Sequence, residues 1–264
     1  MAHDGSEPAT DLLVSCADGV LRLTMDRPAS LNAMTDAMND ALAAELEGAV
    51  ARDDVRVVLL AGSGGAFCAG ADIGGTDAHE RLDHRALDRA NRLVRAVVAL
   101  DKPVVAAVGG VAAGVGCSLA LACDLVVAAR SARFLLAFAR IGLMPDGGAS
   151  ATVAAAVGRA RAMRMALLAE PLSGEEAHAA GLVSHLVDDE ALAETAEDVV
   201  RRLAAGPPLA LAATKRAVNA ATLVELEPAL ERERSGQSLL LRTDDAAEGM
   251  RAFSARRRPE FRGR

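Results

Sequence analysis

VRVVLLAGSGGAFCAGADI, residues 55–73, opens as the unbroken apolar run Val57-Val58-Leu59-Leu60-Ala61 and then breaks at Gly62, Gly64 and Gly65. The run has strand length and β-branched residues, which predicts a buried strand. Phe67-Cys68-Ala69-Gly70-Ala71-Asp72 follows. A strand that ends in a glycine-rich turn leaves main-chain N–H groups without ladder partners, and small side chains let a ligand approach them. The stretch reads as an anion or oxyanion pocket built mainly from backbone.

A second stretch repeats the design. Lys102-Pro103-Val104-Val105-Ala106-Ala107-Val108 predicts a buried strand, Gly109-Gly110-Val111-Ala112-Ala113-Gly114-Val115-Gly116 a turn, and Cys117-Ser118-Leu119-Ala120 the start of a buried helix. A helix N-terminus adds free N–H groups and the positive end of a dipole. Two such turns facing each other supply one N–H each to an oxygen that gains charge during a reaction.

Composition narrows the classes. A chain of 264 residues, 52% of them hydrophobic, forms one large domain or a domain with an appendage. The net charge of −7 and the absence of Trp and Tyr argue against nucleic acid, which calls for a basic face and stacking rings. Cys16, Cys68, Cys117 and Cys123 form no CxxC pair and read as reduced thiols of a cytoplasmic protein, Cys68 and Cys117 as small buried hydrophobes. Residues 1–11 are polar and acidic, unlike a signal peptide. No apolar run approaches the ~20 residues that span a bilayer, so no membrane is expected. No H-E-x-x-H or Cys/His cluster suggests a metal, and neither nucleotide-binding glycine motif is present.

The remaining elements follow in order. Asp18-Gly19 between two short apolar runs predicts a hairpin. Thr35 is the expected N-cap of a helix running to about Arg52. Residues 74–85, with His79 and His84, read as a polar irregular segment over a site, followed by a helix over about 87–100. Residues 124–128 predict another buried strand, residues 141–148 a loop, and 149–157 and 159–168 short helices. Ser173-Gly174-Glu175-Glu176 has the form of a capping box, and 182–187 reads as a last strand. Strands and helices alternate to about residue 190, and helices alone follow, broken at Gly206-Pro207-Pro208. This predicts an α/β core over 1–190 and a helical region over 191–264.

The chain resembles the crotonase (enoyl-CoA hydratase/isomerase) family along nearly its whole length. The resemblance is carried by Asp26-Arg27-Pro28 with Leu31-Asn32-Ala33, by residues 66–73 and 102–124, and by Ile141-Gly142-Leu143 with Pro145-Asp146-Gly147-Gly148. Residues 177–183 and Glu248-Gly249 with Ala252-Phe253 add to it. The pattern is most similar to isomerases of the phenylacetate-pathway type. The resemblance implies a ClpP/crotonase-like α/β spiral of ββα units with a helical C-terminal trimerisation region, assembled as a homotrimer or a hexamer. It implies an acyl-CoA thioester substrate and no separate cofactor, coenzyme A being part of the substrate. Its carbonyl is held by the N–H groups of Ala71 and Val115. Arg27, Ala33, Ala69, Asp72 and Ile73 then lie along the coenzyme A, with Phe253 and Arg256 near its nucleotide end.

The chain departs from the family's hydratases where their chemistry sits. Hydration uses two glutamates, one for the water and one for the α-carbon. Ser118 and Phe138 stand at those positions and line the pocket without a carboxylate. Asp146 remains, where some family isomerases carry an acid that moves a proton between carbons. An aspartate just before a helix also caps it, so Asp146 has a structural reading as well. The favoured expectation is double-bond isomerisation of an enoyl-CoA with Asp146 as the shuttle. The alternatives are an enoyl-CoA hydratase, a dehalogenase-like use of an aspartate nucleophile, a non-catalytic acyl-CoA binder, and a serine hydrolase. The last would use Ser118 in Gly116-Cys117-Ser118-Leu119-Ala120 with Asp146 and His178 or His185.

Overall fold

The computed structural model describes residues 11–75 and 78–264. Residues 1–10, and Thr76 and Asp77 of the polar segment, lie outside the described residues. The hairpin forms as expected. Strands β1 (Leu12–Ala17) and β2 (Val20–Met25) pair antiparallel across Asp18 and Gly19, both with positive φ, the backbone that a tight hairpin turn needs. Thr35 caps helix α1 (Asp36–Gly48), its side chain accepting from the N–H of Met38 at 3.1 Å. Strand β3 (Val57–Gly62) follows, then helix α2 (Ala78–Arg81), one turn inside the segment expected to be irregular. Helix α3 (His84–Ala99) is capped by Asp83 and leads to β4 (Val104–Val108).

The glycine turn after β4 contains a three-residue strand that its composition hid, β5 (Val111–Ala113), and then helix α4 (Val115–Ala122). Strands β6 (Leu125–Ala129) and β7 (Arg133–Leu135) come next. Helix α5 (Ala149–Leu168) bends at Gly158, whose φ of 74° is not helical, so the two short helices expected there are two arms of one element. Strand β8 (Leu172–Ser173), helix α6 (Gly174–Ala179) with the Ser173–Glu176 capping box, and strand β9 (His185–Val187) complete the alternating part. Helices α7 (Leu192–Ala204), α8 (Pro208–Thr222), α9 (Leu226–Leu240) and α10 (Asp244–Ser254) close the chain.

Six strands form one sheet in the order β1-β2-β3-β4-β6-β9, parallel except at β1. A second row runs beside it: Met34 bridges Ala71, Cys68 bridges Ala112, and β5 pairs with β7 and β7 with β8. Each turn of chain gives one strand to the first sheet and one short extended piece to the second row. The spiral of ββα turns expected above is therefore present. Both faces of the large sheet are covered. Leu21, Leu23, Val58, Leu60 and Ala106 pack toward α1, α3 and α4, while Val20, Val57, Leu59 and Val105 pack against Ala196, Val199 and Val200 of α7. Burial on both faces is why β3 and β4 read as continuous apolar runs without alternation.

The helical end is tied to the sheet by a buried charge pair. Lys215 of α8 places its ammonium 2.8 Å from Asp124 Oδ2 and 2.9 Å from the Val97 carbonyl, and the same carboxylate accepts from the N–H of Val104 at 2.7 Å. Burial pushes the Asp124 carboxyl up and Lys215 opposes that shift. Removing one member of such a pair leaves the other uncompensated, at a cost of about 3–5 kcal/mol. Lys215→Met is expected to lose roughly that much unfolding free energy in urea titration, and Lys215→Met with Asp124→Asn to recover a large part of it.

Candidate functional site

The two glycine turns meet. Gly70 and Gly114 both have positive φ, 99° and 53°, and a Cβ added at Gly114 would lie 3.8 Å from Gly70 Cα. A Cβ added at Gly70 would lie 2.9 Å from the Ala113 carbonyl oxygen. A side chain at Gly70 would enter the facing backbone, and at Gly114 it is the left-handed φ rather than lack of space that favours glycine. The next residue on each side is a sequence-expected donor. Met34 donates to the carbonyl of Gly70 and accepts from the N–H of Asp72, so the N–H of Ala71 points away from this bridge. Val115 is the first residue of α4, where an N–H has no intrahelical acceptor. Among the described residues, neither N–H has a hydrogen-bond acceptor. A further close contact seats α4: a Cβ at Gly116 would lie 2.7 Å from Cys68 Sγ. Burial pushes the thiols of Cys68 and Cys117 up to about 12, so both act as packing groups.

Asp146 lies in the loop before α5 and is brought to the same place. A Cβ added at Gly147 would lie 3.5 Å from a methyl of Val115 and 3.0 Å from Ser118 Cβ. The Ser118 hydroxyl donates to the main-chain carbonyl of Asp146 at 2.8 Å and lies 3.4 Å from that of Gly114. Ser118 is fully buried and ties the Asp146 loop to α4. This corrects the serine-hydrolase alternative, since the hydroxyl faces carbonyl oxygens and neither His178 nor His185 bonds to it. Phe138 is buried in a short 3₁₀ turn, its ring tip 3.9 Å from the Cβ position of Gly114, an apolar wall beside the glycine pair.

The helix after Asp146 is capped, but by another residue. Helix α5 begins after Gly148 with no local side-chain cap. Its first N–H groups go to Glu233 of α9, which accepts from Gly148 at 2.7 Å and from Ser150 at 2.8 Å. The carboxyl of Asp146 is thereby free of the capping role. Its Oδ2 accepts from Gln237 Nε2 at 3.1 Å, and its Oδ1 is buried with no partner among the described residues. Burial pushes the Asp146 carboxyl up to about 7, the Gln237 amide opposes the shift, and the charge of Glu233 adds to it. Glu233 is itself pushed up by burial, against the N–H groups it accepts.

Glu233 and Gln237 were not singled out in the sequence, although a signal is there. Leu226, Leu230, Glu233 and Gln237 follow helical spacing on one buried stripe of α9. Two polar residues on an apolar stripe mark a buried polar task.

The residues expected along a coenzyme A fall on two groups of segments. The Arg27 guanidinium is engaged by the Ala33 carbonyl at 2.6 Å, Asp72 at 3.0 Å and Asp11 at 3.2 Å. Ala69 donates to the Leu31 carbonyl, Asp72 also accepts from the N–H of Gly74, and Ile73 packs against Ala78, Leu87, Leu241 and Met250. Phe253 is 59% exposed on α10, and Arg256 is exposed just after it. Ser254 donates to the Gly75 carbonyl, which holds the end of α10 beside the segment after Asp72. His79 and His84 sit on α2 and at the start of α3 and make no hydrogen bond to Asp146. Among the described residues there is no cluster of three or more His, Cys, Asp or Glu suited to a metal, and no helix long and apolar enough to cross a membrane.

A family model described as enoyl-CoA hydratase/isomerase matches residues 15–264. The chain is 43% identical to a 1,2-epoxyphenylacetyl-CoA isomerase of Escherichia coli K12, over 93% of this chain and 96% of that one. It is 38% identical to a 2,3-dehydroadipyl-CoA hydratase of the same organism, over 97% and 100%. Among solved structures, an enoyl-CoA hydratase from Mycobacterium avium subsp. paratuberculosis superposes with a TM-score of 0.91 at 49% identity, covering 97% of this chain and all of that one.

The raised carboxyl has a stability consequence. Because the folded Asp146 binds its proton more tightly than an unfolded aspartate, the native state loses stability as pH rises from about 4 to about 7. Asp146→Asn removes that loss. The variant is expected to gain on wild type progressively across this window, by on the order of 2–4 kcal/mol at pH 8, in denaturant titrations at fixed pH.

Proposed function

This chain belongs to the enoyl-CoA hydratase/isomerase family, and on that premise we propose that it moves a double bond within an enoyl-CoA by a single-base proton transfer. The observation that carries this reading is the buried Asp146 carboxyl with a free oxygen, in a loop packed against Val115 and Ser118 at the end of two main-chain turns whose N–H groups lack acceptors among the described residues, with Ser118 and Phe138 at the places where a hydratase keeps glutamates. The thioester oxygen accepts from the N–H groups of Ala71 and Val115. The Asp146 carboxylate takes the proton from the carbon next to the thioester carbonyl. The electron pair left behind spreads into the carbonyl and the adjacent double bond, and its negative charge rests on the oxygen between the two donors. The protonated Asp146 then returns the same proton to the far carbon of the conjugated system. One bond to hydrogen breaks, one forms, and the double bond migrates, with no water consumed.

A carboxyl that titrates near 7 suits this exchange, being a stronger base than an ordinary carboxylate and still largely ionised above neutrality. Phe138 keeps its side of the pocket apolar, which opposes placement of a nucleophilic water. Arg27, Ala33, Ala69, Asp72 and Ile73 are read as lining the coenzyme A, several through main-chain atoms, with Phe253 and Arg256 at its nucleotide end. The related isomerase acts by its name on an epoxide-bearing acyl-CoA, which supports isomerisation as the reaction class. The helical end, with Leu209, Val224 and Leu239 exposed, is read as the assembly surface of a homotrimer or hexamer, and the enzyme as cytoplasmic.

Paired assays on 3-enoyl-CoA and 2-enoyl-CoA test the reading. Double-bond migration is expected with little hydration, rising with pH through about 7. Asp146→Asn is expected to lower kcat by roughly 10²–10⁴-fold while coenzyme A thioesters still bind. Rapid hydration that survives Asp146→Asn would favour the hydratase reading. Binding without turnover in wild type would leave a binder.

A further inference from the structure

Resting on the reading of Asp146 as the proton-transfer group, we propose that Gln237 of α9 is a positioning residue that makes the two oxygens of that carboxyl unequal, holding Oδ2 and leaving Oδ1 to carry the proton. The Gln237 amide cannot turn over. Its Oε1 accepts from the N–H of Met144 at 3.0 Å, so its Nε2 must be the group that faces Asp146 Oδ2 at 3.1 Å. An amide NH₂ can only donate, so Oδ2 is an acceptor in both protonation states of the carboxyl. The proton therefore resides on Oδ1, the oxygen without a partner among the described residues.

The same contact sets how readily the acid ionises. A donor on Oδ2 favours the carboxylate, against burial and against Glu233, four residues earlier on the same helix. The other charged groups around the site are turned elsewhere. Helix α4 carries no charge; Arg140 of the 3₁₀ turn reaches the Ala169 carbonyl. On α9, Arg234 pairs with Asp88 of α3, Arg232 with Glu225, and Glu227 with Arg95, while Glu231 accepts from Ser235. Helix α5 carries its arginines beyond Gly158, where Arg164 pairs with Glu170. Gln237 is thus the donor that keeps Asp146 usable as a base near neutrality, and it reaches the site from the helical end of the chain.

Two variants separate this from a bracing role. Gln237→Met removes both hydrogen bonds. Gln237→Glu keeps an acceptor for the N–H of Met144 but places an acid where the amide donated. The pH dependence of kcat/KM for double-bond migration is measured for both. In parallel, the Asp146 carboxyl is titrated directly by carbon NMR in protein labelled at aspartate carboxyls, with Asp146→Asn identifying the resonance. Both variants are expected to raise the titration midpoint by about one pH unit or more, so that activity falls further at pH 7 than at pH 9. If Gln237→Met, which removes the donor and adds no charge, leaves the midpoint where wild type has it, the proposal fails and Gln237 only supports the loop. If Asp146→Asn itself stays active, the functional reading fails instead, and the NMR midpoint still decides what Gln237 does to the carboxyl.

Discussion

The packing of Gly70 against Gly114 is the contact on which the rest of this molecule turns. Two segments from successive turns of the spiral approach until a side chain at Gly70 would strike the facing backbone, and each then continues into a residue whose N–H has no acceptor among the described residues. Unpaired N–H groups cost free energy when shielded from water, so a fold keeps them only where the surroundings hold the backbone in place. Here the holding is done by short bridges: Met34 on one side of Ala71, Cys68 with Ala112 on the other, and Gly116 seated on Cys68. The large sheet fixes where these bridges fall, and the sheet is fixed by apolar burial on both of its faces.

A second constraint comes from the opposite end of the chain. Helix α9 reaches the loop before α5 with two side chains one turn apart. Glu233 satisfies the first N–H groups of α5, a role that a loop residue beside the helix usually fills, and Gln237 engages both Met144 and Asp146. The site is therefore complete only when the helical end is docked. The buried Lys215–Asp124 pair serves that docking from α8. A carboxyl kept in an apolar place, with one oxygen unpartnered among the described residues, lowers stability at neutral pH. The proposed proton transfer would set folding and function in conflict at this carboxyl.

Much of the architecture was legible because its signals are local. Asp18-Gly19 named the hairpin, Thr35 and Ser173 with Glu176 named their helix starts, and the runs at β3 and β4 named buried strands. Strands β5 and β8 were not legible. They have three and two residues, too few to show a period, and they are strands only because a neighbouring turn of the spiral lies beside them. The family resemblance carried the site further than periodicity did, by setting Ala71, Val115, Ser118, Phe138 and Asp146 in register with a known pattern.

By itself the sequence determined the order of elements, the two glycine breaks, and the absence of a glutamate pair at 118 and 138, because each depends on residue type within a few positions. Tertiary structure alone decided that Asp146 is not the cap of its own helix, that Ser118 faces a carbonyl oxygen, and that Asp146 titrates near 7. Those outcomes rest on partners 85 and 91 residues away for the helix cap and the carboxyl, and 28 away for the serine. A carboxyl's proton affinity is set by the dielectric, charges and donors around it in space, and local sequence does not encode which distant groups will supply them.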